Sequence, residues 1–118
     1  MDTHALPPLI GITPDRLEDR IQVRHSYLQS IRDSGGLPVV LSGDLEDISA
    51  ILDRVDGLVF TGGDDPIMES FGHETHPEAC RIDPQRQEFE LALLARLEER
   101  ISVPVLGVCL GMQLMGLH

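Results

Sequence analysis

The stretch Pro104-Val-Leu-Gly-Val-Cys-Leu-Gly-Met-Gln-Leu-Met-Gly-Leu-His118 decides how the whole chain reads. It opens on the apolar pair Val105-Leu106, sets Cys109 between Gly107 and Gly111, and runs on as an apolar, helix-like segment. Gly107-Val-Cys-Leu-Gly111 has the G-x-nucleophile-x-G form of a nucleophile elbow, with cysteine where hydrolases often carry serine. The spacing has a steric reason. A strand that turns abruptly into a helix strains the backbone at the nucleophile, and side chains two positions away would crowd the turn. Glycines at 107 and 111 remove that crowding. The helix that follows directs free N–H groups toward the thiol, which favours thiolate, and the amide of Leu110 is placed to receive an oxyanion. The competing reading is a buried structural cysteine at a strand end; the strand-then-helix pattern favours the nucleophile.

Upstream, the chain repeats the same alternation. Leu9-Ile-Gly-Ile-Thr13 follows a Pro-Pro break and reads as a buried first strand. Asp15 to Arg20 is charged and reads as a loop. Val23, Tyr27, Leu28 and Ile31 recur at helical spacing between Gln22 and Ser34, and Gly35-Gly36 ends that helix. Leu37-Pro-Val-Val-Leu41 is a second strand, with Pro38 near its start. Leu45, Ile48, Ile51 and Leu52 share one helical face behind Asp44, a candidate N-cap. Gly57-Leu-Val-Phe60 is a third strand and ends at Thr61-Gly62-Gly63. A polar segment, Asp64 to Asp83, leads to Asp83-Pro84, an N-cap followed by proline at the first helical position. That helix should reach about Arg100 and bury Phe89, Leu91, Leu93, Leu94 and Leu97. Residues 104–108 make the fourth strand. A βαβαβαβ order predicts an α/β fold with a parallel sheet covered by helices on both faces. Ligands of such sheets gather at the carboxyl ends of the strands, where Gly62-Gly63 and Cys109 both fall.

Bulk composition narrows the function. Acidic residues outnumber basic ones 20 to 9, for a net charge of −11, which argues against nucleic acid and anionic membranes as partners. With no Trp, one Tyr and three Phe, the core must be aliphatic. No apolar run approaches the ~20 residues that span a bilayer, and the first residues lack a signal-peptide pattern. Two cysteines make no disulfide framework, so a reducing, cytoplasmic setting is expected. His73, Glu74, His76 and Cys80 lie close together, but His73-x-x-His76-x-x-x-Cys80 matches no strong zinc signature, so no metal site is assigned. His4 and His25 have no evident partners.

Pro104-Val-Leu-Gly-Val-Cys-Leu-Gly-Met-Gln113 resembles the nucleophile motif of the class I glutamine amidotransferase superfamily. The insertion after Gly62-Gly-Asp-Asp-Pro66 and Asp83-Pro-Gln-Arg-Gln-Glu-Phe-Glu90 resemble one branch, the gamma-glutamyl-gamma-aminobutyrate hydrolase-like peptidases, whose helix start reads D-P-x-R-D-x-F-E. Gln87 departs from it. Tyr27 and Ser34-Gly-Gly-Leu-Pro38 match that branch's Y-x-x-x-I-x-x-x-G-G-x-P run, taken as structural. The likeness runs from about Leu9 to His118 and implies a flavodoxin-like fold, with residues 1–118 forming the N-terminal half of the family's domain, truncated after the elbow. It implies hydrolysis of a gamma-glutamyl amide on a small-molecule substrate through a Cys109 thioester. It further implies an oxyanion hole from Gly62, Gly63 and Leu110, and Gln113 holding the substrate's alpha-amino-acid end, with no cofactor. Arg86 and Glu90, four residues apart, either make a solvated pair or orient the loop.

The family takes its general base, a His in a His-x-Glu motif, from about a hundred residues further on. His118 stands nine residues past Cys109, roughly 13 Å along a helix, too far to serve. The expectation is therefore weak or absent turnover by these 118 residues, with a second chain or a homo-oligomer completing the sheet. Two other readings stay open: a glutaminase subunit that feeds ammonia to a synthase, disfavoured by the long insertion, and a non-catalytic interaction module that keeps the fold without the chemistry.

Overall fold

The computed structural model describes residues 6–100 and 102–118; His4 lies outside them. Four parallel strands form one sheet: β1 (Leu9–Ile12), β4 (Leu37–Val40), β5 (Gly57–Phe60) and β6 (Val105–Gly107), in the order β4-β1-β5-β6. Ile10 pairs with Pro38 on one side and Gly57 on the other, and Phe60 pairs with Gly107. Four helices connect or follow the strands: α1 (His25–Asp33), α2 (Ile48–Arg54), α3 (Pro84–Leu97) and α4 (Leu110–Leu117). The α/β class and all four expected strands are present.

Side-chain alternation along the strands divides the sheet into two unequal faces. Leu58, Phe60 and Val105 point to the face where α2, α3 and α4 pack, in a cluster with Ile48, Leu52, Phe89, Leu93, Leu94, Leu97, Leu110 and Leu114. Burying a Leu or Phe side chain is worth roughly 1.5–3 kcal/mol each, so this aliphatic cluster is the main source of stability. The other face carries α1, whose Ile31 lies beside Ile10 around Gly36. No residue of α1 is fully buried. Leu91, expected in the core, is only partly buried.

Local chemistry explains the start of α3 and the end of α1. Asp83 caps α3, its carboxylate accepting from the N–H groups of Gln85 (2.9 Å) and Arg86 (3.1 Å), with Pro84 following. Gly35 takes a left-handed φ of 94° after α1, and Gly36 donates to the Ile31 carbonyl at 2.9 Å.

Three local expectations are corrected. The expected loop, residues 15–20, instead lies in an antiparallel hairpin, β2 (Asp15–Leu17) and β3 (Arg20–Gln22), turning at Glu18-Asp19. Its strands are too short and too charged to give an alternating apolar signal, and its turn has no glycine; Glu18 itself adopts φ 54°. Gln22 is thus strand, and α1 starts at His25. Asp44 precedes a short 3-10 turn (Leu45–Asp47), but its side chain caps nothing. Ser42 takes over: its hydroxyl accepts from the Asp44 N–H at 3.1 Å and donates to the Asp47 carboxylate at 2.6 Å.

Candidate active site

Cys109 stands between β6 and α4 as the N-cap of α4, at φ 48° and ψ −102°. Positive φ is rare for a residue with a side chain, and holding it costs on the order of 1–3 kcal/mol. The packing that maintains it comes from the glycines. A β-carbon on Gly111 would stand 2.5 Å from the Phe60 carbonyl oxygen, and one on Gly107 would stand 2.7 Å from the Met112 amide nitrogen. Helix α4 can therefore press against the ends of β5 and β6 only with glycine at both positions. The Val108 N–H bonds the Phe60 carbonyl at 2.9 Å and the Gly111 N–H bonds the Val108 carbonyl at 3.0 Å, closing the turn. The thiol is exposed.

It opens into a cleft of about 710 Å³, lined by Asp15, Gln22, Val23, Arg24, Tyr27, Thr61, Gly62, Gly63, Asp64 and Cys109. The structure thus brings Cys109 and Gly62-Gly63 together, with the buried Leu110 side chain directly behind. Gln113 is separate. Its N–H bonds the Cys109 carbonyl at 3.0 Å, but its side chain is exposed and outside the cleft lining. Among the described residues no histidine lines the cleft. His118 pairs with Glu98 at 2.8 Å, and His76 accepts from the Glu78 N–H in the loop at 3.1 Å.

The Thr61-Gly62-Gly63 turn is held from two sides. On one side the Gly62 N–H donates to the Tyr27 hydroxyl at 2.9 Å, so this amide is already engaged. On the other side the Arg86 guanidinium donates to the carbonyls of Thr61 (3.0 Å) and Gly62 (3.1 Å) and to the Thr61 hydroxyl (3.0 Å). Thr61 is also tied to β1: its N–H donates to the Thr13 hydroxyl at 2.9 Å and its hydroxyl to the Thr13 carbonyl at 2.8 Å.

Arg86 and Glu90 do not form a solvated pair. Their side chains are 2% and 0% exposed, with Nε 2.6 Å from the carboxylate, and Asp15 meets the same guanidinium at 3.2 Å. Burial pushes the Glu90 carboxyl up to about 7, against the lowering effect of Arg86. One of its oxygens, Oε1, has no hydrogen-bond partner among the described residues. Spacing alone foretold the pairing but not the burial, which requires the hairpin and the β5 turn to close over α3.

The insertion after Gly63 is folded rather than extended. Asp65 bridges to Arg81, and a 3-10 turn spans Met68–Phe71. Gln87, where the motif departs from the branch, is buried; its amide donates to the Ile67 carbonyl (2.9 Å) and accepts from the Ile67 N–H (2.7 Å). Aspartate could not make both bonds. No group of three potential metal ligands occurs among the described residues.

A four-stranded parallel sheet flanked by helices is consistent with the flavodoxin-like fold of class I glutamine amidotransferase-like proteins. The chain belongs to the Peptidase C26 family, whose model matches residues 8–118. It is 31% identical over 119 residues to a protein of Rickettsia prowazekii (strain Madrid E) described as "Putative glutamine amidotransferase-like protein", covering 92% of this chain and 42% of that one. A Lactococcus lactis subsp. cremoris protein with the same description is 36% identical over 96 residues, covering 80% of this chain and 50% of the relative. A Mycobacterium tuberculosis "Putative glutamine amidotransferase" is 37% identical over 92 residues, 75% of this chain and 30% of the relative. The chain thus spans half or less of these relatives' length. Among the described residues no helix is long and apolar enough to cross a membrane.

Proposed function

We propose that these residues form the nucleophile half of a hydrolase of gamma-glutamyl amides. The observation that carries the reading is Cys109 at φ 48° on the strand-to-helix turn, opening into the cleft that Gly62 and Gly63 line. The thiol sulfur adds to the amide carbonyl carbon, and the carbonyl oxygen takes the negative charge. The N–H groups of Gly63 and Leu110 bind that oxyanion; Gly62 is excluded because Tyr27 occupies its N–H. The C–N bond then breaks, the amine leaves with a proton, and water cleaves the thioester to restore the thiol. The alpha-amino-acid end falls to Gln113 by family resemblance alone. No cofactor enters.

The proton must travel through a base, and among the described residues no histidine lines the cleft. The base comes from a second half, covalently continuous or separate, docked beside β6. Supplying the downstream half of a Peptidase C26 relative, fused or as a second chain, should yield amine release from gamma-glutamyl amides that Cys109→Ala abolishes. Robust Cys109-dependent turnover by the 118 residues alone would instead put the base among them, with His73 or His76 folding back from the loop. The relatives' descriptions favour one second reading, an ammonia-delivering glutaminase. Activity on glutamine alone, and only with a synthase present, would select it. Absence of turnover in every combination would leave a non-catalytic interaction module.

A further inference from the structure

The turn that faces Cys109 has two successive peptide planes with the same orientation. Arg86 binds the Thr61 carbonyl at 3.0 Å and the Gly62 carbonyl at 3.1 Å through a single nitrogen, Nη2. In a trans peptide the C=O and the following N–H point to opposite sides of the chain. The first plane demonstrates this here. The Thr61 carbonyl faces Arg86, and the Gly62 N–H faces away from it, onto the hydroxyl of Tyr27 in the cleft wall. The second plane has its carbonyl on the same guanidinium, so the Gly63 N–H also points away from Arg86. Among the described residues it has no hydrogen-bond acceptor. A β-carbon on Gly62 would lie 3.7 Å from the β-carbon of Cys109, whereas one on Gly63 would collide with the guanidinium of Arg86. The turn is thus a thin layer between Arg86 and the nucleophile, with its carbonyls on one side and its amides on the other.

We propose that Arg86, braced by Glu90, is a positioning residue that locks the Gly62–Gly63 peptide plane so that the Gly63 N–H is presented to the Cys109 side. Without it, a glycine–glycine plane has little to stop it turning over. The flipped plane would direct the Gly62 carbonyl oxygen, an acceptor, to where an oxyanion needs a donor. Glu90 fixes the guanidinium by its 2.6 Å contact to Nε and leaves Nη2 for the turn. Asp15 holds Nη1 at 3.2 Å, so the three nitrogens have separate duties. A lysine could reach one of these partners but not span all three. The use of the Gly63 N–H rests on the proposed hydrolase reading; the lock itself does not.

The test uses Arg86→Lys together with the double variant Arg86→Met/Glu90→Met. Removing both charges avoids stranding a buried ion, a replacement that proteins often tolerate. The first measurement is a crystal structure of the double variant. The lock predicts a Gly62–Gly63 plane that is turned over or split between two orientations. A single plane in the original orientation would overturn the proposal, whatever the activity. Alkylation of Cys109 by iodoacetamide, which needs no oxyanion hole, should stay within about twofold of the wild type and report an intact elbow. In the complemented enzyme, gamma-glutamyl turnover should fall about 10²–10³-fold in kcat, the loss typical of one oxyanion donor, with KM changed little. Arg86→Lys should recover at most a small part of it. Unchanged kcat in both variants would also sink the proposal. If the complemented wild type does not turn over, the hydrolase reading fails, and the orientation of the plane alone decides this one.

Discussion

Glu90 is the residue whose chemistry the sequence least disclosed. Its side chain is fully buried and bonded through one oxygen to Arg86, and its carboxyl is pushed up to about 7 because loss of water outweighs the guanidinium's attraction. The folded state therefore holds a proton that the unfolded chain releases near 4.5. The sign follows: the group's contribution is complete below about 4.5 and is lost as pH rises through about 7. Across that window the effect is on the order of 3 kcal/mol, at about 1.4 kcal/mol per pKa unit. Urea midpoints measured between pH 4.5 and 7.5 should thus fall with pH in the wild type. In Glu90→Gln, which keeps an acceptor for Arg86 without a titrating proton, that slope should flatten. Parallel slopes in the two proteins would mean that Glu90 is ionised throughout.

At the scale of elements, the elbow depends on contact between a helix backbone and a strand backbone. Gly111 is where α4 meets β5, and the Phe60 oxygen leaves no room for a methyl group. Gly111→Ala must therefore move α4 away from the sheet and disturb Leu110 and Leu114, both buried in the core. A loss of roughly 1–3 kcal/mol, as for other overpacked cores, should appear as a lower melting temperature, with a concurrent change in Cys109 alkylation rate. A variant as stable and as reactive as the wild type would show that the helix approaches less closely. Sequence spacing foretold this glycine's purpose. It did not foretell the β2–β3 hairpin, since Asp15-Arg16-Leu17 carries no alternating apolar pattern. The hairpin brings Asp15 to Arg86, across 71 residues of chain.

At the scale of the molecule, β6 is an edge strand of the described sheet, covered by α4 on one face only. Leu106, on the same sheet face as α1, is 60% exposed, and on the opposite face Met115, lying over Gly107, is 38% exposed. An apolar strand edge of this kind invites pairing with another chain. Sedimentation velocity on the 118 residues alone should show mass rising with concentration, and Leu106→Lys should suppress it. Equal masses for both proteins at all concentrations would exclude association through this edge. The sequence by itself determined the four strands, the cap of α3, the glycine-flanked cysteine and the family, because each is written in residues close together in the chain. Only the tertiary structure decided that Gly62 is engaged by Tyr27, that Gln113 stands outside the cleft, and that Arg86 grips the glycine turn from a buried position. Those outcomes depend on contacts between residues 24 to 71 positions apart, or on which side of a helix faces the sheet. Local periodicity does not carry that information; it arises when the core closes and the remaining polar groups must find partners.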